Sequence, residues 1–491
     1  MSGTGAPISA PTVKSMFASG VDAIPLDEVP HLYGGETAPA PLNIIVVGAG
    51  LGGLSAVHTL AQGGHKVTLL EAAPKLGDVG AGIQVSPNAS RLLIRWGLKS
   101  ALESSAVKPH AIVFNRYNTG ERVGYTRWGD LMDETYGAPY LHIHRADYHA
   151  MLLRLAKAAP GVTVRLGAFV TDVQPDPAAE GGPSVTLASG EVLHADLIVG
   201  ADGVKSRIQS IVTGQPPEDP EPTGDCAYRA TIPTELLLKD PELKPFVDEP
   251  NMMAWMAPGR HLMAYNIRSM QEYNMVLLLP DDGSVEAWDV EGSADKMRAD
   301  FGDFEPRVQK LLGFVTSTLK WRLMGRKPLP TWVHPAGRVV LLGDSCHPML
   351  PYRAQGAAMA VEDAGVLGAL LQKVSHVDQL PSLLKAYQEL RFDRCTETQR
   401  SSRLNRHIFH LEDGPEQEAR DASMRVAMAA ESVYPAPARL PEGSLDGNAN
   451  QWADRTKSIA QFGYDADKQV DAWWAEHREE VLAIGSEQAK L

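Results

Sequence analysis

The apolar positions of the chain follow two rhythms. Short unbroken runs rich in β-branched residues, each ended by a glycine or an acid, read as strands buried on both faces of a parallel sheet. Residues 43–47 are the first such run, 65–71 the second, and residues 54–62 between them have helical composition. This is a βαβ unit at the start of a doubly wound sheet. Runs at 162–165 and 197–199 continue the pattern, and 184–187 with 191–193 reads as a hairpin around Ser189 and Gly190. Between about residues 225 and 327 the rhythm changes. Stretches 227–232, 261–267 and 273–279 are strand-like, with Trp, Tyr and Met among them, and predict a mostly antiparallel sheet. The buried-strand pattern returns at 338–342, so the first domain is built from two pieces with the second unit inserted. Residues 361–411 are helical in composition. The remainder is polar and loop-rich, with Trp452, Trp473 and Trp474 as packing anchors.

The expected fold class is therefore α/β: a doubly wound, Rossmann-type nucleotide-binding domain carrying an inserted, mostly antiparallel β-sheet domain and a C-terminal helical region. The expected boundaries are a flexible N-terminal extension (1–41), the two parts of the nucleotide-binding domain (42–222 and 331–375), the inserted substrate domain (223–330) and a C-terminal helical region with its tail (376–491). A proline- and acid-rich stretch at 216–222 marks one of these borders.

Composition narrows the function. With 491 residues, 44% of them hydrophobic, the chain has the material for more than one core. A net charge of −14 argues against a general nucleic-acid or anionic-membrane binder, while leaving room for a local basic pocket. Cys226, Cys346 and Cys395 are odd in number and far apart, which favours buried free thiols over disulfides or a metal site. No signal peptide and no span of roughly 18 apolar residues is read, so the expected location is cytoplasmic. A homodimer is left open.

Three motifs carry chemistry. The first is the glycine pattern Gly48, Gly50 and Gly53 between the first strand and helix. Gly48 permits the tight turn, Gly50 lets a pyrophosphate approach the backbone, and Gly53 lets the helix pack close to the sheet. The helix N-terminus offers free N–H groups to phosphate, and Glu71 ends the second strand in position for ribose hydroxyls. The acid by itself does not distinguish FAD from NAD. The second is Gly200-Ala201-Asp202-Gly203 after a buried strand, which is also an ordinary turn sequence. The third runs from Gly343 and Asp344 through His347 and Pro351 to Gly356, Ala357 and Glu362-Asp363. There Asp344 would accept from a ribityl hydroxyl, and the helix opened at Gly356 would face a flavin with its N–H groups.

Together these segments resemble the class A flavoprotein hydroxylases, single-component FAD-dependent aromatic hydroxylases, over residues 43–371. The likeness is greatest to the salicylate-hydroxylase-like branch, including fungal enzymes that act on phenolic metabolites. The stretch LHIHRADYHAMLLRLA at 141–156 and VGAGIQVSPNASRLL at 79–93 are further matches. The resemblance implies non-covalent FAD, contacted by Glu71, Ala81 or Gly82, Arg145, Asp344 and Ala357, with Asp202 and Gly356 in the same motifs. Ala358 departs from the Asn frequent there in relatives, which removes a side-chain contact but not backbone ones. No second glycine fingerprint is present. In this family NADH or NADPH binds without one, and the choice between them stays open.

The implied reaction is hydroxylation of a phenolic or related aromatic small molecule by O₂ and NAD(P)H through a flavin hydroperoxide, with decarboxylation or dearomatisation left open. The ring reacts best as a phenolate, which a nearby cation stabilises. By the resemblance, Arg229 in CAYRATIP and Tyr265 in HLMAYNIR are the candidates. The alternatives for them are a sheet-surface salt bridge and a core aromatic. His347 is read either as a proton relay or as a structural hydrogen-bonding histidine. His407 and His410 share a helical face without a third ligand, so no metal site is assigned. Competing functions are another flavoenzyme of this fold, a halogenase or two-component type, and a silent FAD-binding regulatory protein.

Overall fold

A computed structural model describes residues 20–76, 80–284, 290–433, 443 and 445–485 of the chain. Five parallel strands stand in the order Val339–Leu341, Leu197–Gly200, Asn43–Val47, Lys66–Glu71 and Val162–Leu166. The helix after the first strand runs Leu51–Gln62, a turn earlier than its apolar pattern indicates. Glycines at 52 and 53 mask that first turn, because glycine is a poor helix former. This helix packs against Gly356–Leu371 and Arg145–Ala158. The approach to the first is close: a Cβ on Gly368 would lie 2.5 Å from Thr59.

The second sheet has eight strands, in the order Val290–Gly292, Thr318–Gly325, Glu221–Pro233, Glu272–Pro280, Arg260–Ile267, Met252–Ala257, Ala111–Arg116 and Arg122–Arg127. All neighbours are antiparallel except Met252–Ala257 beside Ala111–Arg116. Two of its strands thus come from the segment expected to belong wholly to the nucleotide-binding domain. Nothing local marks them, since a strand's sequence does not state which sheet it joins. Nor does the proline- and acid-rich stretch end an element cleanly, as Glu221 and Pro222 already belong to the long strand carrying Arg229.

Two terminal expectations change. Residues 20–41 are packed rather than loose: Ile24 and Ala38 are buried, and the Tyr33 hydroxyl donates to the Thr59 carbonyl at 3.2 Å. Residues 1–19 lie outside the described residues, as does Val79. The region after Phe409 is largely helical rather than loop-rich, with helices Pro415–Val433, Arg455–Phe462 and Ala466–Ala483. Their polar faces hide the pattern, but Met424 and Ala427 are buried, in a helix packed on strand Arg122–Arg127. Trp452 is buried, while Trp473 and Trp474 are half-buried. All three cysteines are buried and free.

A buried ion cluster joins helix Gly356–Leu371 to helix Leu380–Phe409. Arg391, fully buried, bridges Glu362 at 2.6 Å and Asp363 at 2.7 Å, and both acids are fully buried. Asp363 also accepts from the backbone N–H of Gly343 at 3.1 Å and meets His347 Nε2 at 2.5 Å. Burial opposes charge on His347, yet the negative groups around it, the hydrogen-bonded Asp363 among them, raise its pKa well above the imidazole range. His347 is thus committed to an ion pair. Arg391→Ala would leave Glu362 with Arg394 and Asp363 with His347, each buried carboxylate one cation short. Removing one partner of such a cluster costs about 3–5 kcal/mol, so chemical denaturation should show a loss of that size. A loss below about 1 kcal/mol would mean that Glu362 and Asp363 are satisfied without it.

Candidate active site

The parallel strands Asn43–Val47 and Leu197–Gly200 end at two clefts that share Gly50, Ala201 and Gly203. One, of about 960 Å³, is lined by Gly48, Glu71 and Asp202. The other, of about 410 Å³, reaches between the two sheets. It is lined by Gly50 and Gly53, Gly82, Arg145, Asp344, Gly356 and Ala357 on one side and by Arg229 and Tyr265 on the other. Of the residues assigned to the cofactor or to the phenolate, Ala81 alone lies off both. It is buried, and its carbonyl accepts the N–H of Arg145 at 2.9 Å.

The glycines divide as their motif requires. Gly48 has φ +104°, and a Cβ there would lie 2.3 Å from the Ala201 carbonyl oxygen. A Cβ on Gly53 would lie 2.0 Å from the Gly48 oxygen. Gly50 faces open space, with nothing within 4 Å of where its Cβ would be. The first two glycines serve the fold, and the third keeps a space clear. The helices starting at Leu51 and Gly356 both lack a side-chain cap and both start at the cavity. Their first N–H groups are left for an anion. Glu71 is fixed by the N–H groups of Ala49 and Ala73, each at 2.8 Å. Asp344 presents its carboxylate to the cavity, and its deep surroundings raise its pKa, against the opposing pull of His347 and Arg145. An open space at Gly50, two uncapped helix ends, the fixed carboxylate of Glu71 and the Asp344 carboxylate facing the cavity fit FAD. Asp202 departs from a simple ligand role: one carboxylate oxygen accepts from Arg207 N–H at 2.8 Å at the start of helix Ile208–Thr213. Its side chain shapes the Ala201–Gly203 wall.

On the opposite wall, Arg229 is no surface salt bridge. Its guanidinium lies 4.0 Å over the Trp321 ring, and its buried Nε has no hydrogen-bond partner. Among the described residues no carboxylate forms an ion pair with it. Burial pushes its pKa down to about 10, which leaves it charged at neutral pH. Tyr265 is buried, with its ring 4.3 Å from that of His142. Burial pushes its hydroxyl up to about 12, against the pull of Arg229 and a hydrogen bond with Gln84. Gln84 itself accepts from the Tyr140 hydroxyl.

Sequence reasoning missed Gln84, His261 and Phe409 as cavity residues and took Trp452 for a packing anchor only; all four line the cavity. The signal for His261 was present, since it alternates with Tyr265 on one strand face. His407 and His410 do not act as a pair. His407 is exposed, whereas His410 turns inward to meet His261 Nδ1 at 2.8 Å.

A doubly wound nucleotide fold, a dinucleotide cradle and an enclosed cavity against a second sheet together define a flavin-dependent oxidoreductase. The family described as FAD binding domain matches residues 42–402, and the chain belongs to it. It is 38% identical to the FAD-dependent monooxygenase OpS4 of Beauveria bassiana (strain ARSEF 2860) over 87% of this chain and 96% of that one. It is also 38% identical to the 6-hydroxynicotinate 3-monooxygenase of Pseudomonas fluorescens, over 76% of this chain and 93% of that one. A solved salicylate hydroxylase substrate complex shares the fold, with TM-score 0.70 and 23% identity over 88% of this chain and 98% of that one. The protein is an FAD-dependent monooxygenase.

The open space at Gly50 gives a test that separates cradle from fold. Gly50→Ala meets no atom and has ordinary backbone angles, so the apo protein should lose no more than about 1 kcal/mol for the poorer cap. FAD content after purification should fall sharply, because the methyl group enters the phosphate space. Full FAD occupancy in this variant would place the pyrophosphate elsewhere.

Proposed function

We propose that the protein hydroxylates a phenolic ring, using NAD(P)H and O₂, with the ring held as its phenolate by Arg229 and Tyr265. The observation that carries this is Arg229: a half-buried cation that forms no ion pair with a carboxylate among the described residues, in the same cavity as an uncapped helix end. A buried charge is costly unless paired, and a phenolate supplies the missing anion. FAD, when bound, supplies the redox chemistry, accepting a hydride and activating dioxygen.

The chain's own residues do the rest. Arg229 lowers the pKa of the bound phenol, so the ring is electron-rich at neutral pH. Tyr265, still protonated, donates a hydrogen bond to the same oxygen and is oriented by Gln84. Glu71 and Asp344 would hold the ribose and ribityl hydroxyls of a bound FAD, with Gly82 and Arg145 bordering it. Gly82 is needed here, since a Cβ would lie 2.6 Å from the Tyr265 ring. The relatives named for aromatic monooxygenation support the same reading.

Arg229→Ala tests it. FAD binding should be retained, while affinity for the phenolate falls by about 3–5 kcal/mol, the cost of breaking a buried pair. NAD(P)H oxidation should then yield hydrogen peroxide instead of hydroxylated product. One assay suffices, with NADH and NADPH each tried, recording reductant consumed, peroxide formed and product mass. Full coupling with unchanged affinity would make Arg229 structural.

A further inference from the structure

Building on the phenol reading, we infer that the ring carries an apolar alkyl or aryl substituent of several carbons, received by a wall that the C-terminal region supplies. The cavity does not end at Arg229 and Tyr265. Tyr265, Met263 and His261 alternate onto one face of strand Arg260–Ile267, and all three line the cavity. Their neighbours across the ladder are Asn274, Val276 and Leu278 in turn. From Tyr265 to His261 is four residues, about 13 Å along a strand. A single ring with its oxygen at Tyr265 does not reach the far end.

That far end is apolar. Phe409 and Trp452 close it, with ring planes 12° apart and centroids 6.2 Å apart. Both residues lie beyond residue 402, where the family match stops. Trp452 is buried and has the guanidinium of Arg353 5.0 Å from its ring. The wall is therefore fixed in place. The polar group there is His261, whose Nδ1 is taken by His410. Burial, with His410 alongside, holds its pKa well below the usual imidazole value, so it is neutral. Arg353 lies outside the cavity lining, whose cations are Arg145 and Arg229, so no cation at the far end faces a carboxylate. A compact hydroxybenzoate leaves this end unfilled, whereas an apolar substituent covers Met263 and Leu278 and meets Phe409 and Trp452.

The test uses the FAD-loaded protein and reads dissociation constants from the change in flavin absorbance. Phenol is compared with the 3- and 4-alkylphenols from methyl to butyl, and with salicylate and 4-hydroxybenzoate. Affinity should rise about fourfold per methylene in at least one alkyl series, and the carboxylated rings should bind more weakly than butylphenol. Met263→Gln keeps the side-chain length but makes it polar, and Trp452→Leu removes the indole. Each should shrink the butylphenol-to-phenol affinity ratio at least tenfold. Flat or falling affinity in both wild-type series, or tighter binding of the carboxylated rings, overturns the inference while leaving phenol hydroxylation standing. If no phenol perturbs the flavin or speeds NAD(P)H oxidation, the phenol reading falls and the inference with it.

Discussion

Asp363 is the junction on which the site depends. It sits in the helix Gly356–Leu371, yet it holds the backbone of Gly343, the ring of His347 and the guanidinium of Arg391. The loop that presents Asp344 is thereby tied to the helix whose open end starts at Gly356. Burying so many charges in one place is expensive unless each is paired, and here each charge has an opposite neighbour. What the cluster secures is geometry: helix end and acid cannot drift apart without breaking a charge pair. Placing it behind the cavity leaves the cavity wall free of those charges.

The cavity then has an unusual electrostatic balance for a chain of net charge −14. Arg229 is the desolvated cation on the sheet side, stacked on Trp321 rather than paired. On the cofactor side two uncapped helix ends point the same way in sign. Both features favour anions. The surface acids do not cancel this, because solvent screens them over about 8–10 Å. A strongly acidic protein can thus keep a locally basic interior.

Much of this was legible in the sequence, and the reasons are local. The inner strands Asn43–Val47, Leu197–Gly200 and Val339–Leu341 are apolar runs, since both faces are covered, and the glycine positions follow from sterics that act within a few residues. Glu71, Asp344 and Gly356 fall at strand or helix ends, so their place at the cleft follows from the element order. What was missed depends on partners distant in sequence. Strand 111–116 joins the second sheet because Met252–Ala257 stands beside it, and 122–127 follows as its antiparallel neighbour. Trp452 meets Phe409 across a long excursion, and its composition alone resembles any packing tryptophan. The helices after Phe409 carry polar outer faces that dilute their apolar stripe.

The two walls of the cavity are built by different rules, and this separates what can vary from what cannot. The cofactor wall is backbone: helix ends and glycines whose replacement meets carbonyl oxygens within 2.3 Å at Gly48 and Gly53. Little substitution is sterically allowed there. The opposite wall is a sheet face, where alternate side chains point inward and each is exchangeable without moving the strand. Rows across the ladder grade from Asn274 beside Tyr265 to Leu278 beside His261. The proposed phenolate partners sit at the polar end of that gradient, and the apolar wall at the other. The far end is completed by residues after the family-wide region, so it can change with the C-terminal helices while the reaction centre stays fixed. On the proposed reading, substrate choice belongs to the side chains of one sheet face and the C-terminal wall that meets it.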